Sequence, residues 1–148
     1  MFGLFRRKAT SAALSAVRPL IATLRVRGPI PRAALHDPYF LGFIGVVTMF
    51  HVQLATKMNA SNIGSVMQEV LREIGGEHQP TMAQALFEYA NGRHPDYMQG
   101  LHDGDNMCAL TYGLQKTSTG SIVAIAPDPD AAQSVIQKFL QHLNSKYR

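Results

Sequence analysis

An uncharged stretch runs from Tyr39 to Thr56, and it constrains the fold more than any other feature. These 18 residues contain no Asp, Glu, Lys or Arg and are apolar on nearly every side of a helix. Such a segment is either the central helix of a helical core or a short membrane span. His51 and Gln53 near its end favour the first interpretation. We therefore predict a buried helix over 38–57.

Other segments have the spacing of amphipathic helices. Apolar residues recur every three or four positions in 63–74, 82–89 and 132–143, and charged or amide side chains occupy many of the positions between them. A weaker stripe covers 10–26, where Pro19 is expected to kink or split the helix. Each apolar stripe needs a partner for burial. The predicted fold is therefore all-α, a single orthogonal bundle of about five helices around 38–57.

Proline and aspartate mark the predicted helix starts. Proline suits the first helical position because its missing N–H would have no partner there, and a preceding Asp can cap the turn. The positions with this pattern are Pro38, Pro80, Pro95 and Pro129, and Asp precedes the first and the last of them. We expect helices to begin at these four places.

The segment from 103 to 126 allows two interpretations. Met107, Leu110 and Leu114 permit a helix over 104–115 that starts at Asp105, followed by an extended connector over 121–126. Alternatively, the apolar run 122–125 pairs with 108–112 as a small hairpin within 107–126. We favour the helix and keep the hairpin as the alternative.

Charge is divided unevenly along the chain. The first 36 residues carry seven basic side chains and no acidic one, whereas the remainder carries seven basic and ten acidic ones. This division predicts a basic N-terminal arm with its linker over 1–36 and a helical globular domain over 37–148. The arm side chains expected to bind a partner or a membrane surface are Phe2, Phe5, Arg6, Arg7, Lys8, Arg18 and Arg25.

Composition leaves two locations open. An N-terminus that is rich in Arg, Ala and Ser and lacks acidic residues is typical of a mitochondrial transit peptide, which would place a eukaryotic protein in the mitochondrial matrix. Basic and apolar residues together equally suit a cytoplasmic protein that is peripheral to an anionic membrane. We favour the cytoplasmic location.

One polar group has the residue types of a metal site. Adjacent His102 and Asp103 in a helical chain resemble the metal-dependent HD phosphohydrolases, which use a separate His, an HD pair and a later Asp. That resemblance implies His78, His102, Asp103 and Asp128 as ligands, with Asp130 in place of Asp128 as the variant. In that family the pair normally lies inside an apolar helix, whereas Gly104, Asp105 and Asn106 follow it here. We favour a loop and helix cap for 103–106, with no metal and no other cofactor.

These observations favour a non-catalytic helical interaction or adaptor module. Residues 1–32 would recruit it to a protein partner or an anionic membrane surface, and an exposed stripe on 10–26 would equally suit a homodimer. The alternatives are a metal-dependent hydrolase with the His/Asp site and a nucleic-acid-binding accessory protein. Nucleic acid is disfavoured because the arm lacks interleaved aromatic residues. We expect the single cysteine, Cys108, to be a buried apolar residue rather than a nucleophile.

Overall fold

The computed structural model describes residues 2–56 and 60–148, without the side chains of residues 2, 5 and 60–62. Within these ranges six helices pack around a central helix, which confirms the predicted all-α bundle. The helices are α1 (Phe2–Arg25), α2 (Arg32–Leu35), α3 (Pro38–Thr56), α4 (Ala60–Gly75), α5 (Gln79–Asn91), α6 (Pro95–Tyr112) and α7 (Pro129–Tyr147). A single 3₁₀ turn (Gly76–His78) joins α4 to α5.

Helix α3 is the predicted central helix, and most of it is enclosed by other helices. Its first two turns are buried on all sides, and helices α1, α4, α5 and α6 contact it. Among the described helices, α3 alone is long and apolar enough to cross a membrane, and 56% of its most apolar window is buried inside the protein. The expectation of a core helix at this position is confirmed.

The predicted helix starts are also confirmed. Helices α3, α6 and α7 begin at the prolines expected, and α5 begins one residue before Pro80. Asp128 caps α7, since its carboxylate accepts a hydrogen bond from the N–H of Ala131. Local rules for capping and proline therefore explain these boundaries.

Helices α3 and α6 approach each other closely through glycine. A Cβ atom on Gly100 would lie 2.2 Å from the Tyr39 carbonyl oxygen, and one on Gly104 would lie 2.5 Å from Val46 Cγ1. On the facing helix, a Cβ atom on Gly42 would lie 2.3 Å from the Tyr97 carbonyl oxygen. The absence of side chains at these positions lets the two backbones come together.

This packing overturns the expected loop and cap at 103–106. Helix α6 runs from Pro95 to Tyr112 without a break, and Asp105 lies inside it rather than at its start. Gly104 serves the contact with α3, not a turn. From the sequence we expected Gly104 to form a turn, whereas in the structure it allows α6 to pack closely against α3.

A hairpin follows α6, although its first strand differs from the expected one. Strand β1 (Leu114–Lys116) pairs antiparallel with strand β2 (Ile122–Ala124), with Gln115 opposite Val123. The expected partner, 108–112, is instead the last part of α6, so the helix and the hairpin both exist. Gly113 separates them, with a left-handed φ of 67° that ends the helix.

Helix α1 is packed into the same core as the other helices. It continues through Pro19 without being split, and it buries an inward stripe made of Ala9, Ala13, Val17, Leu20, Ile21 and Leu24. Helix α1 of the predicted arm therefore packs against α3 and α4. The division at residue 36 stays a prediction, because packing in the intact chain does not measure the folding of a part.

Candidate functional site

The outer face of α1 carries exposed basic side chains beside an apolar one. Leu4, Arg7 and Lys8 lie three and four positions apart, so they share one side of the helix, and that side faces away from the buried stripe. All three are exposed, Leu4 to 72%. Beside them a groove of about 530 Å³ runs along the helix and is lined by Gly3, Arg6, Arg7, Thr10, Ser11, Leu14, Arg18 and Glu69.

Three of the predicted arm residues contact α4 instead of remaining free. The Arg18 guanidinium donates to both carboxylate oxygens of Glu73, at 2.6 and 3.0 Å, and Arg6 Nη2 lies 3.2 Å from Glu69 Oε1. The hydrogen bond to Glu73 raises the pKa of Arg18. Arg25 donates to the backbone carbonyl of Ile74, at 3.0 Å. These contacts hold α1 against α4.

Arg7 and Lys8 differ from these three residues. Neither makes a hydrogen bond or ion pair with any residue in the described part of the chain, so their charge is not compensated locally. The side chains of Phe2 and Phe5, which we also expected at this surface, lie outside the described residues. Leu4, an apolar residue of the same N-terminal group as Phe2 and Phe5, was expected to touch a membrane surface with them and is exposed here.

The four candidate metal ligands are not brought together. His78 lies on the 3₁₀ turn near His36, and Asp128 caps α7. His102 and Asp103 are neighbours, with 3.4 Å between Nδ1 and Oδ1. Across residues 2–56 and 60–148, no three His, Cys, Asp or Glu side chains are grouped so that they could hold one ion. The geometry therefore gives the His/Asp metal site no support.

Asp103 has a different environment from the one expected. It is buried at the contact of α3, α6 and α7, where it accepts hydrogen bonds from Tyr39 Oη at 2.7 Å and Gln99 Nε2 at 2.8 Å. Lys138 Nζ lies 2.9 Å from Oδ2 of Asp103, the oxygen that also accepts from Tyr39. Burial alone would raise the pKa of Asp103, but these donors and His102 lower it to about 2. The carboxylate is thus held ionised at neutral pH.

A second buried carboxylate lies at the start of α3. Asp37 accepts hydrogen bonds from the Phe40 N–H at 2.9 Å and from Tyr147 Oη. His142 Nε2 and Lys146 Nζ each lie 3.2 Å from one of its oxygens. Burial would raise the pKa of Asp37, but the hydrogen bonds from Tyr147 and Phe40, with the two basic groups, keep it below its ordinary value.

These two carboxylates form one polar seam, defined by Asp37, Tyr39, Asp103, Lys138, His142 and Lys146. The Tyr39 ring connects its two ends, because its hydroxyl reaches Asp103 and its ring lies 4.5 Å from that of His142. Both carboxylates are ionised and accept hydrogen bonds from neighbouring donors, so the seam holds α7 against α3 and α6. Two carboxylates in this state do not resemble an acid–base pair. The only indication of this seam in the sequence was a basic residue at every fourth position of α7.

Cys108 is fully buried, and burial raises its pKa to about 12, with Asp105 adding to the effect. A thiol in this state is not a nucleophile at neutral pH. The expectation of a buried apolar residue fits this environment.

Comparisons with known proteins add no assignment, since no family model, curated protein or solved structure matches this chain.

Proposed function

We propose that the protein is a non-catalytic helical interaction module that is recruited to an anionic membrane surface by the outer face of α1. The observation that carries this proposal is the exposed group of Leu4, Arg7 and Lys8, whose two positive charges have no partner within the described residues. An apolar side chain beside free cations suits the boundary between lipid headgroups and acyl chains.

The rest of α1 supports the proposal by fixing how this face is presented. The inward stripe is buried, and the ion pairs of Arg6 and Arg18 with α4 prevent the helix from rotating about its axis. The basic face is therefore part of a rigid body. It needs no ordering of a free arm when it binds, and this lowers the entropic cost of association.

Flotation with phosphatidylcholine vesicles, with and without phosphatidylserine, tests the proposal. We expect binding only to the anionic vesicles. Each charge at such a surface contributes about 1 kcal/mol, and Arg7→Glu both removes an attraction and adds a repulsion, so we expect it to lower the partition coefficient by about thirtyfold. Arg93→Glu is the matched control, because Arg93 is an exposed arginine outside α1 and gives the same net charge. It should change binding far less.

Two outcomes would contradict the proposal. Equal losses in the two variants would show that only net charge matters and that the face of α1 has no particular role. If the unmodified protein does not float with anionic vesicles at low salt, membrane recruitment is wrong.

A further inference from the structure

Strand β2 is apolar and exposed on both of its faces. Ile122 is 67% exposed and Val123 41%, and Ile125, directly after the strand, is 42% exposed. An isolated two-stranded hairpin is marginally stable in water, and an uncharged exposed strand edge can pair with another chain. No charge occurs between Lys116 and Asp128, so the edge has none of the usual protection against pairing.

The hydrogen-bond pattern shows which backbone groups are available. The Thr117 N–H donates to the Ser121 carbonyl, and the Ile125 N–H donates to the Gly113 carbonyl. In an antiparallel pair, bonded and non-bonded positions alternate. Val123 therefore directs its backbone N–H and C=O toward β1. Those of Ile122 and Ala124 point away from β1, along the open edge.

We propose that this open edge of β2 pairs antiparallel with β2 of a second copy of the chain, which makes a four-stranded sheet across a two-fold axis. In the register centred on the axis, Val123 of one copy lies opposite Val123 of the other, and Ile122 exchanges backbone hydrogen bonds with Ala124. Apolar side chains then face each other on both sides of the strand pair.

Charge favours a second copy as the occupant. The protein has a net charge of +4, so two copies associate most readily through a neutral surface, and residues 117–127 provide one. Antiparallel pairing places the uncharged hairpin tip, 117–121, beside the base of the partner strand, so no like charges meet along the strand pair.

The surface beside β2 can extend the contact. Ile122 and Leu114 share a groove of about 350 Å³ with Phe50 and Leu54 at the end of α3. Leu54 is exposed, as is nearby Tyr112 at the end of α6. The inward stripe of α1, which the sequence offered as a dimer surface, is buried within one chain. The hairpin is therefore the surface that we assign to self-association.

Cross-linking tests the register directly. Val123→Cys should give a covalent dimer on mild oxidation, because residues opposite each other at a non-hydrogen-bonded position have Cα atoms within disulfide range. Native Cys108 is buried, so it does not compete. Phe87→Cys, at another exposed apolar position on α5, is the control and should remain largely uncoupled. Equal coupling of the two variants would overturn the register.

Sedimentation equilibrium tests the association itself. The unmodified protein should dimerise, and Ala124→Pro should raise the dissociation constant at least tenfold, because it removes an N–H that points to the partner and keeps the bonds to β1. Circular dichroism should show that this variant remains folded. A protein that is monomeric at every concentration, or a dimer that Ala124→Pro leaves unchanged, would overturn the proposal.

Discussion

Asp103 shows how one buried side chain can join three helices. Its oxygens accept hydrogen bonds from Tyr39 on α3 and Gln99 on α6 and lie against Lys138 on α7. Removing the carboxylate would leave the buried Tyr39 hydroxyl without its acceptor, which costs free energy, whereas Gln99 and Lys138 are exposed and can bind water instead. The role of the residue thus follows from its contacts, and the adjacent His102 is an exposed member of the group.

We expect Asp103→Asn to lower the free energy of unfolding by about 2 kcal/mol at pH 7. The pKa of Asp103 is about 2 in the folded protein against an ordinary 3.8, so the unfolded chain binds the proton more tightly. The contribution of Asp103 to the free energy of unfolding is complete above pH 4 and is lost as the pH falls toward 2. Urea unfolding at several pH values measures it.

The control for this prediction is Asp105→Asn, because Asp105 is exposed on the same helix. It should change stability little at any pH. If the two variants lose the same stability, or if Asp103→Asn loses as much at pH 2 as at pH 7, the ionised carboxylate does not stabilise the fold.

At the scale of elements, the contact between α3 and α6 dominates the bundle. Glycines on both helices remove the side chains that would hold the backbones apart. A glycine inside a helix costs about 1 kcal/mol relative to alanine, so these positions exchange local helix stability for close packing. Gly64 in α4 has no such compensation, because nothing lies within 4 Å of a Cβ atom added there.

We expect Gly100→Ala to destabilise the protein by about 1–3 kcal/mol, since the new methyl group would overlap the backbone of Tyr39 and force the helices apart. Gly64→Ala is the matched substitution on α4, where nothing lies within 4 Å of the added Cβ. It should stabilise the protein by up to about 1 kcal/mol. Thermal unfolding of both variants compares them, and effects of the same sign would contradict the packing argument.

For the whole molecule, the end of α7 is tied to the end of α1. Arg148 donates to the carbonyl oxygens of Leu24 at 2.7 Å and of Gly28 and Pro29 at 3.2 Å, so the end of α7 holds the end of α1. With the buried stripe of α1, this closes the bundle around α3. We therefore expect the first helix to unfold together with the rest of the bundle, even though its charge differs from that of the remainder.

A truncated chain of residues 37–148 should therefore lose cooperative thermal unfolding, because it lacks the inward stripe that covers part of α3 and α4. A chain of residues 9–148 keeps that stripe and should unfold cooperatively, close to the full-length midpoint. Circular dichroism of the two truncated chains during heating provides the measurement. A stable, cooperative 37–148 fragment would instead support the predicted domain division.

The amino-acid sequence alone determined the features that depend on neighbours along the chain. Helical periodicity predicted α4, α5 and α7, proline and aspartate marked the helix starts, and the uncharged run identified α3 as the centre. Arg7 and Lys8 at the candidate surface were also predicted. These are local properties, since capping, proline geometry and apolar spacing act within a few residues.

The tertiary structure decided which faces meet. Asp103 accepts a hydrogen bond from Tyr39, which lies 64 positions earlier in the chain. Helical periodicity cannot indicate a contact between residues so far apart in the sequence. The same holds for the glycines between α3 and α6 and for the burial of α1. Each depends on two segments that are far apart in the chain and that fit together only when the whole core is closed.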